Sequence, residues 1–161
     1  MAWRIAMGVL VGSLVAAPAV AEGFGLPVTP ACISSTFGER PAAGPRASRF
    51  HTGLDLPAPA GAWVRAAAAG RVAAIRRIGA GGLEVEIRHG EGLATRYAHL
   101  GTVAPALAGG RREVVAGEAI GRVGRTGITY GTHLHFEVWV RGERVDPGPY
   151  LPGVLPCGRR P

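Results

Sequence analysis

The sequence predicts an all-β fold with a mostly antiparallel sheet, and three observations carry that prediction. Glycine (26) and proline (13) are abundant in a chain of 161 residues, which favours short strands and many turns over long helices. Short apolar and β-branched runs recur, nearly every junction between them being marked by glycine. Leu83-Glu84-Val85-Glu86-Ile87-Arg88 alternates apolar with charged, as a half-buried antiparallel strand requires.

In chain order, the stretch from Glu22 to Gly44 reads as an extended, loop-rich entry, and Pro41, Gly44 and Pro45 forbid a helix at its end. Strand-like runs follow at Trp63–Ala67, Arg71–Ile78, Leu83–His89, Leu93–His99, Val114–Val115, Ala119–Val123 and His133–Val140. Ala66–Ala69 favours helix by propensity, but Gly61 and Gly70 bracket too few residues to nucleate one. No internal repeat or linker interrupts residues 32–157, so they read as one domain.

The N-terminus has the layout of an export leader. Arg4 is followed by 17 uncharged residues, 5–21, and the run closes on Ala19-Val20-Ala21, a small-x-small cleavage pattern. Cleavage after residue 21 starts the mature chain at Glu22 and leaves no stable membrane span; the run is marginal for a hydrocarbon core about 30 Å thick. The expected organisation is a signal peptide over 1–21, an N-terminal extension over 22–36, the main domain over 37–150 and a tail over 151–161 that carries Cys157. Export places Cys32 and Cys157 where thiols oxidise, and a bridge between them would contribute about 4–5 kcal/mol by chain entropy.

All 18 basic side chains are arginine, the formal charge is +7, and the arginines are spread along the chain. Such a surface suits an anionic neighbour. The usual nucleic-acid motifs are missing and aromatics are only 6%, so nucleic acid is not an expected partner.

Four of the five histidines fall in arrangements that suit a metal. His51-Thr52-Gly53-Leu54-Asp55 reads as a turn that folds an imidazole and a carboxylate toward one point, a pair that alone is common in loops. In His133-Leu134-His135-Phe136-Glu137, strand alternation puts both imidazoles on one face and the apolar residues on the other. Zn²⁺ takes imidazole and carboxylate, and a catalytic site uses three protein ligands with one position open. His51, Asp55 and His135 supply that set, which leaves His133 and His99 beside the metal to handle protons and developing charge. Glu137 shares the face of the two histidines and reads first as surface charge, second as a partner that orients a ligand ring. His89 fits none of these patterns and reads as surface or structural; Arg40 either steadies the fold or meets a substrate carboxylate.

Together these stretches resemble the LytM-type, lysostaphin-like zinc metallopeptidases of family M23. The resemblance runs from about Ser34 to Tyr150 and is carried by Phe37-Gly38-Glu39-Arg40, His51-x-x-x-Asp55, Tyr97-Ala98-His99-Leu100, the glycine-rich 117–127 stretch and His133-x-His135. It implies an antiparallel β core with loops walling a groove, one zinc ion on His51, Asp55 and His135, and His99 and His133 as the catalytic pair. Thr132 stands where proline is frequent, and no asparagine exists to plug the zinc as in autoinhibited relatives.

The activity so implied is a zinc metalloendopeptidase cutting peptide cross-links of bacterial peptidoglycan, either glycine-rich bridges or D-amino-acid links. The implied location is periplasmic or extracellular, in association with the wall. Two other readings stay open: a non-catalytic regulator or activator of other wall hydrolases, and a secreted protease acting on glycine-rich proteins.

Overall fold

The computed structural model describes residues 24–41 and 44–158. The expected leader over 1–21 and the start at Glu22 lie outside the described residues. Among the described residues no helix is long and apolar enough to cross a membrane.

The fold is nearly all β, as the sequence predicts. Strands β1 (Gly38–Glu39) and β2 (Phe50–His51) form a small ribbon of their own. Nine more make the main sheet: β3 (Leu54–Pro57), β4 (Trp63–Arg65), β5 (Gly70–Ile78), β6 (Gly82–Gly90), β7 (Leu93–Val103), β8 (Glu113–Val114), β9 (Ala119–Val123), β10 (His133–Val140) and β11 (Glu143–Val145). The order is β11-β10-β7-β6-β5-β8, with β3 on β10 and β9 bridging β7 to β4, and every strand pairing is antiparallel. One helical turn, α1 (Pro105–Ala108), interrupts the chain after β7.

Alternation decides which face of the sheet is dry. Val85 and Ile87 of β6, Tyr97 of β7 and Leu134, Phe136 and Val138 of β10 are fully buried on one face. Burying each such aliphatic or aromatic group contributes about 1.5–3 kcal/mol. The opposite face of the same strands carries the charges. Contrary to the simple alternation, Glu84 is buried as well, because Arg76 on β5 donates to it across the pair. Arg76 and Arg96 both donate to Glu86, at 3.0 and 3.2 Å, so the polar face is a ladder of opposite charges.

The entry segment is built into the domain. Val28 joins the core, Phe24 stacks on Tyr150 and meets Phe136 edge-on, and the Pro27 carbonyl accepts from the Arg65 amide. These contacts lie on the apolar side of the sheet; only Ser34 and Ser35 of residues 24–36 reach the groove, which the segment leaves uncovered. Cys32 and Cys157 are disulfide-bonded, beside a short parallel bridge between Ile33 and Pro156, so the first and last described segments are clipped together.

Candidate metal centre

Strand register builds the site. On β10 the core-facing Leu134 and Phe136 turn His133, His135 and Glu137 to the polar face, and His135 sits directly opposite Asp55 of β3. His51 ends β2, and only Thr52 and Gly53 separate it from β3, so the expected turn is a sharp bend between two short strands. Gly53 makes that bend possible: a Cβ there would run into the Phe136 carbonyl and crowd the His135 ring. Strand character in this stretch comes from pairing with β1 and β10, which local sequence does not display.

The three donors expected to share a metal converge. Asp55 Oδ1 lies 3.0 Å from His51 Nε2 and 3.0 Å from His135 Nδ1, and the two nitrogens are 3.1 Å apart. Outer partners fix which nitrogen is bare. His51 Nδ1 faces the Thr36 carbonyl at 2.7 Å and must carry the hydrogen, leaving a lone pair on Nε2. His135 Nε2 faces Glu137 Oε1 at 3.3 Å and carries the hydrogen, leaving a lone pair on Nδ1. Two bare imidazole nitrogens and a carboxylate oxygen thus point at one spot, an arrangement that repels itself unless a cation lies among them. A set of two nitrogens and one oxygen, with a side open to the groove, fits zinc.

Titration behaviour follows from the same crowding. Burial would raise the Asp55 carboxyl, but the adjoining His133, His135 and His51 rings, which bond and attract it when they carry a proton toward it, outweigh burial and hold it far below the usual range. Burial would lower His135, yet Asp55 and Glu137 together push it up to about 9, so in the metal-free protein a proton answers the demand for positive charge. Burial also opposes ionisation of Glu137, which His135, Thr52 and Arg144 nevertheless bring down to about 2.

His99 and His133 lie beside the three donors, with ring centroids 4.9 Å apart in an edge-on arrangement. His99 reaches this position by a bulge. Strict alternation from Tyr97 would send it into the core, but Tyr97 and Leu100 are both buried there, and the extra residue between them turns Ala98 and His99 alike to the groove. His99 holds a positive φ of 62°, an uncommon backbone state that clusters at functional sites. Its Nδ1 faces the Thr126 carbonyl at 2.8 Å, so Nε2 is bare, and burial lowers the ring's pKa to about 4 despite that hydrogen bond. His133 faces the Gly131 carbonyl through Nδ1 at 3.2 Å and Asp55 Oδ1 through Nε2 at 3.3 Å.

A groove of about 760 Å³ runs over these groups, walled by the 46–48 and 128–131 loops and floored by the polar face of β6, β7 and β10. Arg40 NH1 lies 3.5 Å from Asp55 Oδ2 and also donates to Ser35, so it braces the carboxylate from outside. The reading of Glu137 as surface charge is corrected: it is 4% exposed and fully bonded. Its place two residues beyond His135 on one strand face was the available signal. The carbonyls of Thr36 and Thr126 have none, since any residue supplies a carbonyl. His89 is structural, bonding the Ala69 carbonyl and the Thr95 hydroxyl away from the groove.

Residues 49–147, which span His51, Asp55, His99, His133 and His135, match the family model of peptidase family M23. The chain belongs to this family. Among curated relatives of this M23 chain, DD-carboxypeptidase/endopeptidase Mpg of Neisseria meningitidis is 44% identical over 115 residues, covering 71% of this chain and 26% of that protein. Peptidoglycan DD-endopeptidase ShyA of Vibrio cholerae is 38% identical over 96 residues, or 60% of this chain and 22% of that one. The chain therefore spans about a quarter of the length of these relatives. Among solved structures, a zinc containing peptidase from Vibrio cholerae superposes with a TM-score of 0.66 at 31% identity, over 78% of this chain and 39% of its own.

Proposed function

We propose that this M23 domain is a zinc-dependent metalloendopeptidase that cuts peptide cross-links of bacterial peptidoglycan. The observation that carries the reading is the convergence of His51 Nε2, Asp55 Oδ1 and His135 Nδ1 on one point of an open groove. Relatives whose names specify peptidoglycan and DD-endopeptidase activity support the substrate. The peptidase unit is assigned to residues 37–150, and the leader over 1–21 directs export to the periplasm or the cell exterior, where the wall is at hand.

In this reading His51, Asp55 and His135 hold the ion, and Arg40 and the Thr36 carbonyl keep two of those ligands aimed. Zinc held there supplies Lewis acidity to the scissile carbonyl and lowers the pKa of water toward neutrality. Neutral His99, its hydrogen committed to Thr126, presents Nε2 to the groove as a proton acceptor. His133 stands across from it on β10 and serves the leaving amine and the charge that gathers on the carbonyl oxygen. The groove binds the peptide extended over the sheet, with the scissile bond between the two rings.

The deciding experiment is mass spectrometry of the fragments released from purified sacculi, with and without a chelator. New muropeptides that vanish with the chelator are expected and name the bond cut. No fragments from zinc-loaded protein would instead favour the regulator.

Zinc uptake is expected to depend on pH with a definite sign. Below about pH 9 the ion must displace the His135 proton, so apparent affinity rises about tenfold per pH unit as pH climbs toward 9 and levels off above it. The raised pKa also means that this group stabilises the metal-free fold fully below 6.5 and ceases to as pH climbs through 9. His99 acts oppositely, its contribution being present above 6.5 and lost as pH falls through 4. Chelator-competition titrations and thermal melts across this range check both; a pH-independent affinity contradicts the first.

A further inference from the structure

We propose that Glu137 is a positioning residue of the metal centre, its carboxylate fixing the ring and tautomer of His135 so that Nδ1 is presented as a ligand. The inference rests on the zinc reading above and goes beyond its three ligands. Glu137 is held from several sides. Oε1 accepts from the Thr52 hydroxyl at 2.7 Å and faces His135 Nε2 at 3.3 Å, while Oε2 accepts from the Trp139 indole at 2.8 Å. Arg144 Nε lies 3.3 Å from Oε1, and Arg96 NH1 lies 3.5 Å from Oε2. The two guanidinium groups also pack over the Trp139 ring, 4.4 and 4.5 Å from its centre, so the cations that hold the carboxylate are themselves fixed.

A burial this complete costs free energy that the fold alone does not require. The indole and the arginines would satisfy a carboxylate turned wholly toward them, yet Oε1 is turned to His135. The consequence is chemical. Histidine has two neutral tautomers, and one of them would place a hydrogen on Nδ1, pointing at His51 Nε2 and Asp55 Oδ1 and closing the site to a cation. A fixed negative charge at Nε2 selects the other tautomer and makes Nδ1 the more basic donor. Gly53 leaves room for the ring in this orientation, because a Cβ there would crowd the imidazole edge.

Glu137→Gln keeps the shape and an oxygen acceptor but removes the charge. It is expected to weaken zinc about 10–100-fold in chelator-competition titration of the full chain, and, in ¹⁵N NMR of the metal-free protein recorded well above pH 9 where the His135 ring is neutral, to give a mixture of His135 tautomers where the wild type shows one. A purely structural role would lower the melting temperature and leave both readouts unmoved. Arg144→Gln, at a half-exposed guanidinium, loosens the same carboxylate and is expected to weaken zinc in the same direction; it carries the test if Glu137→Gln does not fold. Wild-type zinc affinity in a folded Glu137→Gln protein, or in Arg144→Gln where only that variant folds, overturns the inference. A wild-type protein that takes up no zinc overturns the metal reading itself and the inference with it.

Discussion

Asp55→Ala is expected to leave the protein without zinc and without hydrolytic activity, and His51→Ala and His135→Ala are expected to do the same. Zinc sites of four protein ligands bind with about 10–16 kcal/mol, or about 2.5–4 kcal/mol per ligand, so losing one of three donors weakens binding by about 10²–10³-fold. Asp55 is the most exposed to this argument because it is the sole anion of the set and the common neighbour of three imidazoles. Asp55→Asn separates charge from shape: it fills the same space against Arg40 and should lose zinc nearly as fully as alanine. Metal analysis of the purified variants, with circular dichroism to show that the sheet is intact, decides the matter. Stoichiometric zinc in a folded Asp55→Ala protein would mean that the ligand set is wrong.

The sheet was legible where strands are long and bury one face. Ala119–Val123 and His133–Val140 keep the bounds read from their apolar runs, because alternation there is enforced by the core. Legibility fails where pairing is tertiary. The two- and four-residue strands around His51 and Asp55 have no period of their own and exist because β1 and β10 pair with them. Leu93–His99 continues to Val103, since β9 supplies a partner for the far half of the strand.

The site was legible as residue types and not as support. Two histidines at strand spacing place themselves on one face, but His99 comes to that face through a bulge, whose trace in the sequence is the three-residue step from Tyr97 to Leu100 between two core positions. The groups that aim the donors are of another kind. Two are main-chain carbonyls, at Thr36 and Thr126, and a third is a glutamate that composition alone assigns to the surface.

His99→Ala and His133→Ala are expected to separate chemistry from metal binding, each retaining zinc while losing about 10²–10⁴-fold in turnover, the range associated with a positioned acid or base. Neither ring belongs to the trio of converging donors, so the ion keeps its ligands when either is removed. What goes is proton handling. In His99→Ala the acceptor at Nε2 disappears, and with it the ring that burial keeps neutral. In His133→Ala the imidazole that faces it from β10 is lost. Because both act on one reaction, the double variant should lose little more than the worse of the singles. Zinc content measured beside the rate of muropeptide release distinguishes these variants from the ligand variants, which lose both. Full activity in the His133→Ala protein would remove it from the chemistry and return the groove to a single histidine.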